Sequence, residues 1–467
     1  MQAGNDRINI MDSEYHPLST ESGITSKLQE EKLTKDNPSV HAAVDRGVCI
    51  FDTKAADIAI SKSERVEYRP VSSITAGSTI EICIHKTESY YWDLRKSLLS
   101  VKCVIRKENG AAITKDDHVA LVQAPGCSLF KSCELSLQQR TISPDVGKCY
   151  AEKCVIDLLL YSSEEYLESK AQSFLFYKDN TPMDGTGVSG DGVNNGLVAR
   201  YQYTSEGKEC TLVGPLGHDL WRVNQYIPSG IELRLQLIPN ENNYVLMYGS
   251  PTERYKFEIT KCTLLMHGVL PSDDVLAKHA RLLASKEKAI LHYTRSEIKT
   301  YTFTTGVLSF EMLNCFQNAV PYEVIVAFVG ISAANGDAKK NPFNFLHLDI
   351  NRISLKVEKY KTIDFTPNFT NFHCAEEYDS LYDHEDPYVV HGHIIKRHEY
   401  HQGYTLFRFV LGPALYERMA RPLKGATSIE GTMSKAIAGE SVRAYVYGRF
   451  HDYLLIDEDK RIHLGEG

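Results

Sequence analysis

Residues 320–369 read VPYEVIVAFVGISAANGDAKKNPFNFLHLDINRISLKVEKYKTIDFTPNF, and the pattern of apolar residues in this stretch indicates the class of fold. Residues 324–329 form a continuous apolar run, which is typical of a strand buried on both faces. In residues 353–357 apolar and polar side chains alternate, which predicts a strand buried on one face. Asn335-Gly336 between the two runs is a turn-forming pair. The stretch therefore predicts strand, loop and strand, and it contains no arrangement of reactive side chains.

The second part of the predicted loop contains residues that indicate a turn and a contact with the core. Asn341-Pro342 has the local chemistry of a turn, because the residue before a proline is held in an extended conformation. Phe343 and Phe345 are two residues apart and are therefore predicted to point the same way. We expect these two rings to anchor the loop to the core.

The same alternation recurs on both sides of this stretch. It is clearest in residues 99–105, 133–137, 231–237 and 255–259, where every second side chain is apolar. The chain as a whole has more predicted strands than one open sheet can hold. The sequence therefore predicts an all-β protein of two halves, each a jelly roll or another closed β-sandwich.

Two segments depart from the β pattern. Apolar residues recur at helical spacing in residues 151–159, which predicts a short helix inside the first half. Pro271-Ser272-Asp273-Asp274 resembles a helix cap, and the amphipathic pattern that follows extends to about Lys288. We place the domain boundary at this second helix. The first sandwich is then residues 56–270, the connecting helix is 271–289 and the second sandwich is 290–467.

Residues 1–55 lie before the first predicted strand and are polar. In residues 1–45 there are four Lys or Arg side chains and eight Asp or Glu side chains. We expect an acidic arm that is disordered alone and becomes ordered on a partner.

Charge and cysteine content restrict the class of protein. The formal net charge of -8 argues against a surface that neutralises nucleic-acid phosphates. The 11 cysteines are odd in number and form no CxxC pair, which favours reduced thiols in a protein made inside a cell. No apolar stretch is long enough to predict a membrane span or a secretory signal.

Two sequence patterns are weak indications of a binding site, one for a nucleotide and one for a metal ion. Residues 185–190 match GxGxxG, but they lie in a Gly-rich run, 183–196, without a strand before it, so a flexible loop is favoured over a nucleotide site. Five histidines, His384, His391, His393, His398 and His401, lie in a polar segment, 371–402, that we expect to be a surface loop. A metal site built on them, as in a cupin-like metal oxygenase, is an alternative. No catalytic motif is recognised, which favours a structural or binding role, and we expect no cofactor.

Several segments in collinear order resemble a known family. They are residues 66–110, 341–345, 403–407 and 446–457. Together they resemble the double jelly-roll major capsid (hexon-like) proteins of Polinton/Maverick elements and adintovirus-like viruses. The resemblance attaches a structural role to Asn341, Pro342, Phe343, Phe345, Tyr404, Leu406, Phe407, Tyr447 and Phe450.

The resemblance implies a major capsid protein that is not an enzyme. Such proteins form homotrimers that act as pseudo-hexagonal capsomers of an icosahedral shell around double-stranded DNA. The implied partners are neighbouring capsomers and minor or penton capsid proteins. The implied location is the virion, after synthesis and assembly inside the host cell. A domesticated or cellular jelly-roll binding protein that no longer assembles is the alternative.

Three positions depart from the family pattern. Cys127 replaces a common histidine, and Arg449 replaces an acidic residue before the late Phe. Gln138-Gln139 stands where the family often has Asn-Gly, which argues against a tight type I′ turn there. We expect all three changes to lie in loops and on surfaces.

Overall fold

A computed structural model describes residues 59–86, 89–142, 146–190, 192–358, 362–382, 394–412 and 424–465. The expectations for the acidic arm, residues 1–55, lie outside these ranges. Everything described belongs to one unit, Ile58–Gly467.

The first half of the described chain forms two four-stranded antiparallel sheets and one two-stranded sheet. Its strands are β1 (Ile60–Tyr68), β2 (Ile80–Ile84), β3 (Tyr91–Lys107), β4 (Val119–Leu121), β5 (Phe130–Leu137), β6 (Arg140–Ile142), β7 (Cys210–Gly214), β8 (Leu233–Pro239), β9 (Leu246–Tyr248) and β10 (Tyr255–Pro271). One sheet has the order β1-β10-β3-β7 and the other has the order β2-β8-β5-β6, while β4 pairs with β9.

The second half repeats this plan. Its strands are β11 (Ala289–Phe303), β12 (Ser309–Phe316), β13 (Glu323–Gly330), β14 (Ile350–Val357), β15 (Thr362–Phe365), β16 (Leu406–Val410), β17 (Thr427–Met433), β18 (Val442–Ile456) and β19 (Ile462–Leu464). The sheets have the orders β11-β18-β13-β16 and β12-β17-β14-β15, and β19 pairs with β18.

The two halves have the same topology. When the eight strands of the two main sheets are counted along the chain in each half, one sheet joins the first, eighth, third and sixth strands. The other sheet joins the second, seventh, fourth and fifth. This is the jelly-roll arrangement. The predicted double jelly roll is therefore confirmed.

Both strands predicted in the opening stretch are present. Every residue of β13 is buried, as expected for a continuous apolar run at the centre of a sheet. In β14 Ile353, Leu355 and Val357 are buried and Lys356 is exposed, as predicted, but Ser354 is buried as well, so the alternation is only partly confirmed. The intervening segment includes a short helix at Ile331–Ala334.

The helices in the described ranges are mostly short. They are α1 (Pro125–Ser128), α2 (Tyr150–Tyr161), α3 (Glu164–Glu168), α4 (Asn195–Thr204), α5 (Asn242–Val245), α6 (Asp273–Ala284), α7 (Ile331–Ala334), α8 (Ala375–Asp379) and α9 (Arg397–Tyr400). α2 confirms the helix expected near 151–159. α6 confirms the connecting helix but is shorter than expected, because Pro271 is the last residue of β10 and the helix ends at Ala284.

The two segments expected to be loops are packed more closely than their composition suggests. In 183–196, Met183 and Val188 are buried, and Asp184 accepts a hydrogen bond from the main-chain nitrogen of Asn341 at 2.9 Å. The described part of 371–402 contains α8 and α9 and buries Leu381 and Tyr400. Residues 183–190 and 192–194 contain no helix or strand, so the predicted loop is confirmed there, and buried apolar side chains anchor it. The described residues of 371–402 include two short α-helices, so this part is not the continuous surface loop that was expected.

The turn at Gln138-Gln139 also differs from expectation. Leu137 pairs with Arg140, and the two residues between them have φ values of 48° and 65°. Positive φ at both positions is the geometry of a tight type I′ turn. The Gln138 main-chain nitrogen donates to Glu232 O at 2.9 Å and its side-chain amide donates to Gly230 O at 3.1 Å. These bonds hold glutamine in a conformation that usually selects Asn or Gly.

Candidate functional site at the junction of the two sandwiches

Helix α2 is central to the junction between the two sandwiches. Its residues are buried from Tyr150 to Leu160, including the ionisable side chains of Glu152, Lys153 and Asp157. Because a buried charge is stable only when it is paired, the partners of these side chains identify what the helix holds together.

One ionic cluster joins α2 to the second sandwich. Lys153 Nζ lies 2.9 Å from Asp157 Oδ2 and 3.0 Å from Asp219 Oδ1. Asp219 accepts hydrogen bonds from the main-chain nitrogen of Ser296 in β11 at 2.8 Å and from its hydroxyl at 2.7 Å. Asp157 accepts a hydrogen bond from the hydroxyl of Tyr447 in β18 at 2.9 Å. The carboxylates of the first half therefore bind polar groups of the second half.

The opposite charges in this cluster keep one another ionised despite their burial. Burial alone would raise the pKa of Asp157, but the cations of Arg222 and Lys153 hold that pKa below its usual value. Burial alone would lower the pKa of Lys153, but Asp157 and Asp219 raise it. Both members of the pair are therefore ionised near neutral pH, and removal of either would leave an unpaired buried charge.

A second cluster surrounds Glu323, the first residue of β13. Its carboxylate forms ion pairs with Arg408 of β16 and with Arg449 of β18, the latter at 2.9 Å. The hydroxyl of Tyr161, in the last turn of α2, donates to Glu323 at 2.7 Å, and the Arg449 guanidinium lies 4.0 Å from the centre of the Tyr161 ring. Burial would raise the pKa of Glu323, but the two arginines lower it.

The positions of Arg449 and Cys127 correct a prediction. Both were expected in loops or on surfaces. Instead, the Arg449 side chain is largely enclosed by the Glu323 cluster and Cys127 is buried. In this chain an arginine at position 449 fits because Glu323, in the neighbouring strand, supplies the opposite charge at the paired position.

A third polar cluster is built on Asn341, the first residue of the predicted loop motif. Its side-chain amide donates to Asp179 Oδ2 at 2.8 Å, and Asp179 also pairs with Arg200 at 2.7 Å. The hydroxyl of Tyr404 donates to the main-chain oxygen of Asp179 at 2.7 Å. Arg200 and Asp179 belong to the first half, whereas Asn341 and Tyr404 belong to the second. This cluster therefore also joins the two sandwiches.

The aromatic residues of the same motif lie in the core. Pro342 is buried, and Phe343 and Phe345 have no exposed surface. The Phe343 ring lies edge-on to Tyr244 of the first half, with 6.2 Å between ring centres. The main-chain nitrogen of Phe345 donates to Gly403 O at 2.9 Å, so the loop also pairs with the segment before β16.

The other predicted motif residues lie on strands β16 and β18 of the second sandwich. Leu406 and Phe407 pair with Ala327 and Val326 of β13 and are fully buried. Phe450 of β18 is buried and lies edge-on to Phe316, with 5.3 Å between ring centres. These residues build the second core, whereas Asn341, Phe343, Tyr404 and Tyr447 contact the first half.

Sequence reasoning missed the ionic members of the junction. Lys153 and Asp157 could have been noticed, because they are oppositely charged and four residues apart in a helix that is mostly apolar. Glu323 could also have been noticed, because it directly precedes a six-residue apolar run. Asp219 and Arg408 had no such signal, since their partners are distant in sequence.

The histidines of the alternative metal site are not brought together in the described part of the chain. His384, His391 and His393 lie outside the described residues. His398 is exposed, and the His401 ring lies edge-on to Phe372. Within the described ranges, no group of three or more His, Cys, Asp or Glu side chains is arranged to hold a metal ion. No helix in those ranges is long and apolar enough to cross a membrane.

Comparison by sequence gives no relative. No family model matches the chain, and no curated protein matches it.

Comparison by structure gives several similar chains. One from the Sputnik virophage has a TM-score of 0.60 at 12% identity and covers 98% of this chain and 95% of that chain. The mavirus major capsid protein has a TM-score of 0.51 at 10% identity, covering 92% and 96%. The Faustovirus major capsid protein has a TM-score of 0.51 at 9% identity, covering 92% and 98%. The chain has the double jelly-roll fold of these proteins over nearly its whole length.

Proposed function

We propose that this chain is the major capsid protein of a virus or virus-like element of the Polinton/Maverick and adintovirus type. Three copies would assemble into a capsomer, and capsomers would tile an icosahedral shell. The proposal is supported by the similarity in fold to two viral major capsid proteins over at least 92% of this chain. The role is structural and not enzymatic, and it needs no cofactor.

The main observation behind the proposal is that the chain contains two sandwiches with the same strand order. The two sandwiches are joined by buried contacts. Three buried polar clusters and the edge-on contact of Phe343 with Tyr244 join the halves. Two equal, rigidly joined sandwiches per chain give six around a three-fold axis. Such a trimer has a nearly hexagonal outline, and hexagonal units can tile a shell.

The domain limits proposed from the sequence suit this assembly. Residues 56–270 and 290–467 would be the two upright sandwiches, 271–289 the connection and 1–55 an acidic arm that binds a neighbouring capsomer or a minor capsid protein. Minor and penton proteins would complete the shell. The net charge of -8 fits a shell that encloses double-stranded DNA without binding its sequence. The protein would be made and assembled inside the host cell and remain in the virion.

An apolar strip on the second sandwich is a candidate subunit contact. Ile290 of β11 and Tyr453 of β18 are 47% and 38% exposed. His292 pairs with Tyr453 and Ile290 pairs with Leu455, so these four side chains share the outer face of two neighbouring strands. Association of subunits would bury this strip, as stable interfaces bury apolar surface.

The test is the mass and shape of the purified full-length protein. Light scattering after size-exclusion chromatography should give three times the 52.6 kDa of the single chain, and negative-stain images should show pseudo-hexagonal particles. Tyr453→Glu should release monomers that keep the circular dichroism spectrum of the folded wild type, whereas Val71→Glu, at an exposed site away from the strip, should leave the trimer intact. A monomeric wild-type protein without hexagonal particles would overturn the capsomer proposal and favour a jelly-roll binding protein.

A further inference from the structure

Strand β10 has an open edge in the first sandwich. β3 pairs with β10 from Tyr255 onward, but on its other side β1 pairs only with residues 264–271. β1 ends at Tyr68, and Pro70 beyond it has no main-chain N–H to continue the ladder. The chain then crosses to the opposite sheet, where Val71 N donates to Glu81 O at 2.8 Å. The first part of β10 is therefore left without a neighbour on one side.

The register shows which main-chain groups face this side. The nitrogen of Glu108 donates to Arg254 O at 3.0 Å, so Arg254 faces β3. In an antiparallel pair the bonded residues alternate along the strand. The groups that face away from β3 therefore belong to Tyr255, Phe257 and Ile259.

Most of these groups are without a protein partner. The nitrogen of Phe257 donates to the side-chain oxygen of Asn242 at 3.2 Å, which confirms its direction. Within the described ranges, Tyr255 and Ile259 make no main-chain hydrogen bond on the open side. The edge thus offers donors and acceptors in alternation, repeating roughly every 6.8 Å along the strand.

A groove runs along this edge. It has a volume of about 980 Å³ and is bounded by residues 74–77, residues 238–243 and the edge of β10. Asn335 and Gly336 of the second half line it as well. Its volume is at the upper end of the roughly 300–1,000 Å³ found for binding clefts.

We propose that this groove binds an extended segment of a partner polypeptide, which adds to the open edge of β10 as a further strand. The main chain of an extended peptide is complementary to this edge, because it presents N–H and C=O groups in the same alternation and at the same spacing as β10. A small anion or a metal ion would satisfy at most one or two of these groups. The inference depends on the edge and the groove and not on the capsid role.

The side chains beside the edge define the partner further. Tyr255 and Phe257 are buried, so partner residues next to them face the core and should be apolar. Lys256 and Glu258 face outward and pair with each other at 2.9 Å, so the intervening partner residues should be charged or polar. The expected ligand is a segment of alternating apolar and charged residues.

The test uses the full-length protein and a fluorescein-labelled peptide, acetyl-Thr-Val-Glu-Val-Lys-Val-Thr-amide. The control peptide has the same sequence with every interior amide N-methylated, which removes the donors and keeps the side chains. We expect the methylated peptide to bind more than about tenfold more weakly, since several hydrogen bonds are lost. Hydrogen exchange should show slower exchange at Tyr255 and Ile259 when the parent peptide is bound.

Two variants test the position of the site by changing opposite sides of the groove. Ile259→Pro removes a donor from the open edge without touching the ladder to β3, and Thr75→Trp fills the groove from the facing loop. Both should weaken binding of the parent peptide, while Val71→Trp outside the groove should not. Equal binding of the methylated peptide, no binding up to about 1 mM, or unprotected Tyr255 and Ile259 amides at saturation would each overturn the proposal.

Discussion

The hydroxyl of Tyr447, in the last long strand of the second sandwich, donates a 2.9 Å hydrogen bond to Asp157 in helix α2 of the first. Tyr447 is also 3.1 Å from the hydroxyl of Ser296, which donates to Asp219. The two sandwiches are therefore joined through buried carboxylates. A junction of this kind tolerates little sliding, because any displacement leaves a buried charge unpaired.

The first prediction concerns this bond. Tyr447→Phe removes one donor from a buried carboxylate and leaves the packing of the ring unchanged. We expect the free energy of unfolding to fall by about 1.5–3 kcal/mol, the usual size for a hydrogen bond to a charged group. Chemical denaturation followed by tyrosine fluorescence would measure it.

Tyr203→Phe is the matched control, because its ring is 49% exposed and lies outside the proposed subunit contact. That variant should change the stability by less than about 0.5 kcal/mol. Equal effects of the two substitutions would show that the bond between Tyr447 and Asp157 does not stabilise the junction.

The second prediction is a pH dependence that arises from His218, which is buried beside the Asp219 cluster. The main-chain nitrogen of Leu220 donates to its Nδ1 at 3.3 Å, so Nε2 carries the proton and donates to Ile142 O at 3.2 Å. Burial lowers the pKa of His218 from 6.5 to about 4, although Asp219 opposes the shift. Between pH 6.5 and 4 the unfolded chain therefore binds a proton that the folded chain does not.

The neutral His218 side chain therefore makes its full contribution to the free energy of unfolding above pH 6.5. This contribution is lost as the pH falls toward 4. The full loss is roughly 3 kcal/mol. His218→Asn keeps an acceptor for Leu220 N and does not titrate, so its unfolding free energy should fall less between pH 7.5 and 5 than that of the wild type. Parallel pH profiles for the two proteins would contradict the assignment.

The sequence predicted those features that depend on local periodicity. The burial of β13, the burial of the apolar side chains of β14 and helix α2 each follow from the spacing of apolar residues within one segment. The polar clusters could not be predicted, because Asp219 and Ser296 are 77 residues apart and their meeting depends on the packed fold. The prediction that Arg449 lies in a loop or on the surface was wrong for the same reason, because its partner Glu323 lies on another strand.

The third prediction tests the predicted loop anchor. Phe343→Ala and Phe345→Ala each remove a ring that is fully buried. Each should lower the unfolding free energy by about 3–5 kcal/mol, because the cavity left behind cannot collapse completely. Thermal unfolding is the measurement. Phe372→Ala is the control, since that ring is 60% exposed, and an unchanged melting temperature for all three variants would show that the loop contributes nothing to the core.

The last prediction concerns the turn that the sequence did not reveal. Gln139 has a φ of 65°, a conformation that costs a residue with a side chain about 1–2 kcal/mol and costs glycine little. Gln138 makes two hydrogen bonds to the 230–232 segment, so its replacement would mix two effects. Gln139→Gly avoids this and should raise the unfolding free energy by about 1 kcal/mol. Gln139→Val should lower it, because a branched side chain is strained at positive φ. If glycine destabilises the protein, the strand pairing must depend on the Gln139 side chain and not on the turn geometry.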